Sequence, residues 1–278
     1  MERIKLHYLV GDVHQGGHDV RRVAANNRIL LEESGAFDIT VVCDEPCKDY
    51  GGRKLPDIGF DEYLSSGMIN ECEVIVFNCG NWRFNDPEEQ KILTDAVASG
   101  KGFVFLHGDH PCYWKEVGMK PFPEIEKIAM MMWREPTSHG DYTDHHVTIT
   151  DREHPITRGL PDFDTRDELF CGLSNVHGVP CHALAAAYSD AGLLSRHGRP
   201  GTGRDEPVAL VGSYGRGRTY NQVLGHVWPF YTGHGLGENT MLSLSPRPLR
   251  MMFVRGCEWA ARGDVALTKD YRGEGVMV

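Results

Sequence analysis

The sequence predicts an α/β fold: a doubly wound, mostly parallel sheet with antiparallel strands and long loops added in the second half, in one domain over residues 1–278. Three observations carry this expectation. Up to Leu106, short apolar runs rich in β-branched residues alternate with segments of helical apolar period, the pattern of βαβ units. Beyond that point the apolar runs stay short and are separated by turn residues instead of helices. A chain of 278 residues also suits one large α/β domain with elaborate loops, long enough to bury most of its unfolded surface.

The elements follow in order. Ile4 to Val10 is a strand that runs into a glycine-rich polar loop, Gly11 to Gly17. Val20, Val23, Asn27, Leu30 and Leu31 recur at helical spacing, and Gly35 stops that helix. Phe37 to Cys43 and Glu73 to Asn78 are the second and third strands. Asp86-Pro87-Glu88-Glu89 opens a helix with a cap residue, a proline at its first position and acid in its first turn. Ile92, Leu93, Ala96 and Val97 form its buried stripe, Gly100 ends it, and Gly102 to Leu106 is the fourth strand. Later strands are expected at His145 to Thr150, Glu168 to Cys171, Cys181 to Tyr188 and Val208 to Ser213, with Arg199 to Glu206 a loop. Ser213-Tyr214-Gly215-Arg216-Gly217-Arg218 reads as a tight hairpin turn with solvated arginines, returning through Thr219 to Leu224. Leu249, Met252, Phe253, Cys257 and Ala260 share one face of a last helix.

With 39 acidic and 29 basic residues the formal net charge is −10, which argues against a phosphate-tracking surface for nucleic acid. No apolar run is long enough to span a bilayer, and the N-terminus lacks a signal-peptide pattern, so a soluble cytoplasmic protein is expected. The eight cysteines form no C-x-x-C pair. Cys43, Cys72, Cys79 and Cys257 sit in apolar segments, so the thiols are expected to be reduced and structural. Neither a G-x-S-x-G elbow, nor a phosphate loop, nor a dinucleotide fingerprint is present.

In an open parallel sheet, ligands bind beyond the carboxyl ends of the strands. The first strand leads toward His18 and Asp19, the third into Asn81 and Trp82, the fourth into His107-Gly108-Asp109-His110, and the hairpin strand into His226 and Trp228. Two histidines at i and i+3 beside a carboxylate suit a divalent transition metal. The competing reading has His107 capping a strand and His110 leading into Pro111. Alternation turns Glu168 inward in Asp167-Glu168-Leu169-Phe170, though a solvent-facing carboxylate fits the same pattern. His139, His154, His177, His182, His197 and His234 receive no role.

The stretch Gly16-Gly17-His18-Asp19, with the helix and the Gly35-Ala36-Phe37-Asp38-Ile39 strand behind it, resembles the opening of the trehalose-utilisation (ThuA-like) family. Gly102 to Gly108, Asp151 to Thr157, Asp167 to Phe170, Gly215 to Arg218 and Leu224-Gly225-His226 continue the resemblance in the same order. It implies a flavodoxin-like architecture similar to class I glutamine amidotransferases, and the handling of a sugar or oxidised sugar derivative such as a 3-keto-glycoside. His107 stands where an amidotransferase places its cysteine nucleophile, and Cys112 lies beyond Pro111, so thiol amidotransfer is not expected. The Asp109–His110 pair departs from part of that family and is expected to mark a subgroup with a metal.

The activity expected from residues and resemblance together is a metal-assisted hydrolase or lyase of a modified carbohydrate. A divalent ion, zinc first with manganese, iron or nickel as alternatives, would sit on His107, His110, Glu168 and His226. Asp109 or His18 would be the general base, and Asp19, Asn81, Trp82, Trp114 and Trp228 would contact substrate. The rival is a non-catalytic sugar-binding or regulatory protein using the same cleft without a metal. The expected partner is a small carbohydrate, with self-association left open.

Overall fold

Alternation along the first strand assigns the two faces of the sheet. A computed structural model describes residues 2–11, 18–43, 47–48, 54–55, 58–79, 84–108, 121–134, 136–194, 198–228 and 240–273. In it, β1 (Ile4–Val10) sends Ile4, Leu6, Tyr8 and Val10 into one apolar core and Leu9 into the other. Behind it, α1 (Val20–Ser34) starts on Asp19, whose carboxylate accepts from the Arg22 amide at 3.0 Å, and stops at Gly35 in the left-handed region.

Next come β2 (Phe37–Val42), the short ribbon β3 (Cys47–Lys48) and β4 (Lys54–Leu55), α2 (Phe60–Ser65), β5 (Val74–Asn78), α3 (Pro87–Ala98) and β6 (Gly102–Phe105). As its sequence requires, α3 is capped by Asp86, which accepts from the Glu88 amide at 2.7 Å. The second half contains α4 (Pro123–Ala129), β7 (Ser138–His139), β8 (Thr143–Ile149), β9 (Phe163–Asp167), β10 (Phe170–Cys171), β11 (Cys181–Ser189), β12 (Arg204–Tyr214), β13 (Gly217–Gln222) and α5 (Arg247–Arg262).

The nine-stranded sheet runs β2-β1-β5-β6-β13-β12-β11-β8-β9. The five strands from β2 to β13 are mutually parallel, and in chain order they read 2-1-3-4-5, the flavodoxin-like arrangement. From β13 onward every pairing is antiparallel, the first of them made by the tight turn at Gly215 and Arg216 that reverses the chain between β12 and β13. α1 and α5 cover one face, and α2, α3 and α4 the other. Among the described residues no helix is long and apolar enough to cross a membrane, and the described cysteines Cys43, Cys72, Cys79, Cys171, Cys181 and Cys257 are free thiols.

The structure departs from the sequence reading in several places, most of them in the second half. The strand expected over Glu168 to Cys171 shrinks to β10: β9 ends before it at Asp167, Glu168 and Leu169 are not strand, and β10 stands outside the main sheet, paired with β7. Arg204 to Glu206 belong to β12 and are not loop, because pairing with β11 out to Ser189 overrides their polar composition. α2 and α4 are too short for their period to register in sequence. The turn arginines are not merely solvated: the Arg216 guanidinium donates to the Ser99 carbonyl at 2.8 Å, and Arg218 Nε donates to the Trp259 carbonyl at 3.0 Å. One hairpin turn thus donates to carbonyls at the ends of both α3 and α5.

α5 lies directly on β6 and β13. A Cβ on Gly256 would come within 2.3 Å of the Tyr220 ring, and one on Gly102 within 2.5 Å of the Ala260 carbonyl carbon. Gly256→Ala should therefore cost about 1–3 kcal/mol or more by overpacking, read as a lower urea midpoint with unchanged slope. On the opposite face, buried His7 is within hydrogen-bond distance of the Tyr63 hydroxyl, Nδ1 to Oη 3.0 Å. Burial, and then the charges of Lys101 and Lys5, push its pKa down to about 4. Below its ordinary value the unfolded chain takes up a proton that the folded chain refuses, so stability should fall as pH drops from about 6.5 to about 4, by on the order of 3 kcal/mol. Denaturant titrations of wild type and His7→Gln over that range should show the variant losing this slope.

Candidate functional site

Three strand exits converge at the carboxyl edge of the parallel half. His107 follows β6, His226 follows β13, and His18 precedes α1 across from β1. Each offers a ligand nitrogen, and the three nitrogens lie within 4.8 Å of one another. The His18 and His226 ring centroids are 4.5 Å apart, those of His107 and His226 4.9 Å. Close approach of backbone makes this possible. The Asp19 amide donates to the Val227 carbonyl at 2.8 Å, joining the α1 entry to the β13 exit. Gly108 sits at φ +89°, and a Cβ there would come within 2.8 Å of His18 Cδ2, so both conformation and space require glycine.

The hydrogen bonds assign the tautomers of two imidazoles. His107 Nδ1 is 2.5 Å from the Val223 carbonyl oxygen, which can only accept, so the proton is on Nδ1 and the Nε2 lone pair is bare. His226 Nδ1, 2.9 Å from that Nε2, must then donate to it, with the Glu168 carboxylate 3.4 Å away on the same nitrogen. This leaves His226 Nε2 as a buried lone pair with no hydrogen-bond partner. Burial first, then the charges of His18, His107 and His139, hold the His226 pKa well below the ordinary histidine range, so the ring stays neutral at physiological pH.

Carboxylates and aromatics hold this cluster. Asp167, fully buried, accepts from the amides of Gly225 at 2.7 Å and His226 at 3.2 Å, while its neighbour Glu168 donates its own amide to it at 2.8 Å. Desolvation pushes the Asp167 pKa up to about 7 against the pull of those three donors. The Ser243 hydroxyl donates to the His226 carbonyl at 2.6 Å, so the histidine's backbone is fixed on both sides. Glu168 reaches His139 Nδ1 at 3.3 Å as well as His226. Phe170 packs on His107 at 4.4 Å and Trp228 on His226 at 4.5 Å.

Of the residues expected from sequence, His18, His107, Glu168, His226 and Trp228 are thus brought together. Glu168 lies 3.4 Å from His226 Nδ1, the nitrogen that faces His107, and is not one of the compact trio of histidine donors. Asp19 is close by, but its carboxylate caps α1. Asn81, Trp82, Asp109, His110 and Trp114 lie outside the described residues. Sequence reasoning missed Asp167, His139, Phe170 and Ser243. Asp167 had a signal, as a second carboxylate beside Glu168, whereas nothing in the sequence places His139 near His226.

A family model for trehalose utilisation (ThuA) matches residues 17–260. The fold is similar to that of a ThuA-like protein from Parabacteroides merdae, with TM-score 0.68 and 22% identity over 95% of this chain and 92% of that one. A ThuA-like protein from Bacteroides uniformis gives TM-score 0.60 and 14% identity over 95% of each chain. A cytoplasmic protein of Salmonella typhimurium gives 0.50 and 11% over 92% of this chain and 98% of that one. No curated protein matches.

Asp167→Ala would leave the Gly225 and His226 amides buried without an acceptor, a loss of about 2–5 kcal/mol. Hydrogen exchange should accelerate at those two amides beyond the global change, and Asp167→Asn, which keeps an acceptor oxygen, should lose less. Unchanged exchange at both amides would show that another group holds the β13 exit.

Proposed function

The chain belongs to the ThuA family of trehalose utilisation, and on that premise we propose that the histidine trio is the divalent metal centre of a hydrolase or lyase acting on a sugar or an oxidised sugar derivative, for example a 3-keto-glycoside. The family supplies the sugar-related role. The observations that carry the metal are that His18, His107 and His226 each bring a nitrogen within 4.8 Å of the other two, and that His226 Nε2 is buried with no hydrogen-bond partner. An all-imidazole set suits zinc first, and accommodates manganese, iron and nickel. A divalent ion held there would supply Lewis-acid polarisation of a carbonyl and a lowered pKa for bound water.

The protein groups divide the remaining work. His107 anchors its outer N–H on a backbone carbonyl, and the His226 Nδ1–H that donates to His107 Nε2 has the Glu168 carboxylate 3.4 Å away as an alternative acceptor once His107 Nε2 holds an ion, the two kinds of orienting contact typical of metal-binding histidines. Glu168 in this reading orients His226 instead of ligating. His110 remains the proposed further ligand and Asp109 the proposed base. Trp228, packed on His226, presents an aromatic surface suited to a sugar ring.

The test is metal stoichiometry on untagged protein, with thermal unfolding measured on the same preparations. Wild type should carry about one equivalent of a divalent ion, and His107→Ala and His226→Ala should each lose it while still folding cooperatively. Glu168→Gln should keep the ion with roughly 10–100-fold weaker affinity, as expected for an orienting partner. Wild type that binds no divalent ion would overturn the metal centre and leave a sugar-binding protein.

A further inference from the structure

Alternate side chains of one extended segment face two different places. Glu168 and Phe170 face the histidines, whereas Leu169 and Cys171 line a separate cavity of about 330 Å³ on the other side. The cavity lies between the start of β8, the end of β11 and the excursion that joins β11 to β12. We propose that this cavity is a second small-molecule site, distinct from the histidine cluster, that takes an organic cation with an apolar body.

The apolar half of the argument is the mouth. Tyr188, Leu193 and Leu194 line it at 58%, 59% and 64% exposure, three of the five large apolar side chains left open among the described residues. They are not on a featureless loop. The Leu193 amide donates to the Asp190 carbonyl at 3.1 Å, the Gly201 amide to the Leu193 carbonyl at 3.0 Å, and Leu194 bridges to Pro200. A hydrogen-bonded excursion that holds its leucines outward retains a transfer free energy that only an apolar occupant can release.

The charge half is the rim. Asp141, Asp144 and Asp190 line the same cavity beside His145 and His146, and among the described residues none of the three aspartates is in an ion pair and no lysine or arginine lines the cavity. Asp190 spends one oxygen on the Gly192 amide at 2.7 Å, leaving the other for a ligand. Carboxylates beside leucines select a protonated amine over an anion, and the volume lies at the small end of ligand sites. A second copy of this chain, with formal net charge −10, is a poor electrostatic match for such a rim.

The test is titration of the full chain at neutral pH with 2-phenylethylamine, 2-phenylethanol and phenylacetate as probes, followed calorimetrically. The amine should bind saturably with one equivalent, about tenfold or more tighter than the alcohol, with the acetate weakest. Asp144→Asn with Asp190→Asn should bring the amine down to the alcohol's affinity, and Leu193→Ser with Leu194→Ser should weaken both. His107→Ala should bind the amine as wild type does, which separates this cavity from the histidine cluster. The proposal is overturned by an alcohol that binds as well as the amine, by no saturable binding, or by binding that survives both double variants.

Discussion

A carboxylate without solvent must find its hydrogen-bond donors inside the protein, and Asp167 finds them on segments far apart in the sheet. It stands at the end of β9, the edge strand, yet it accepts from Gly225 and His226 just beyond β13, a central strand. Between β13 and β9 lie β12, β11 and β8. The antiparallel extension therefore returns its last strand over the carboxyl edge of the parallel half. That return carries Glu168 and Phe170 onto His226 and His107, so the position of the site's wall depends on this one buried carboxylate.

The same geometry explains why three histidines can share so small a space. Two imidazolium rings at this separation would repel strongly in a medium that screens poorly, so the cluster is compatible only with neutral rings. Burial supplies that condition at His226, and the Val223 carbonyl decides which nitrogen of His107 keeps its proton. From that single backbone contact the donor order passes from His107 to His226, and ends in a lone pair that is buried and unshared. Such a position costs free energy in isolation, which is recovered when an electron-pair acceptor occupies it.

The two faces of the sheet place different demands on the chain. Under α5 the packing is close enough that glycine is needed at positions 102 and 256, so the helix lies directly against the strands that deliver His107 and His226. At the far end of those strands the turn arginines tie the β12–β13 hairpin to the termini of α3 and α5. The strands behind the histidines are thus anchored at the opposite end from the site, and the carboxyl edge is left to loops, whose residues are free to serve chemistry.

The sequence by itself determined the main strands and the two long helices of the parallel half, though not α2 or the β3–β4 ribbon. The period-2 and helical patterns, the Asp86-Pro87 start and the glycine stops are local signals, and each found its element because neighbouring residues decide it. The strand-end rule likewise pointed to His18, His107 and His226, because a parallel sheet puts every carboxyl end on one edge. Tertiary structure alone decided the rest. The pairing of Phe170 and Cys171 with β7 outside the main sheet, the burial of Asp167, the arrival of His139 beside Glu168 and the capping work of Arg216 and Arg218 all rest on partners distant in sequence. Long-range hydrogen bonds leave no periodicity in the chain, so a carboxylate bound for the interior and one bound for solvent read alike until the fold brings their donors to them.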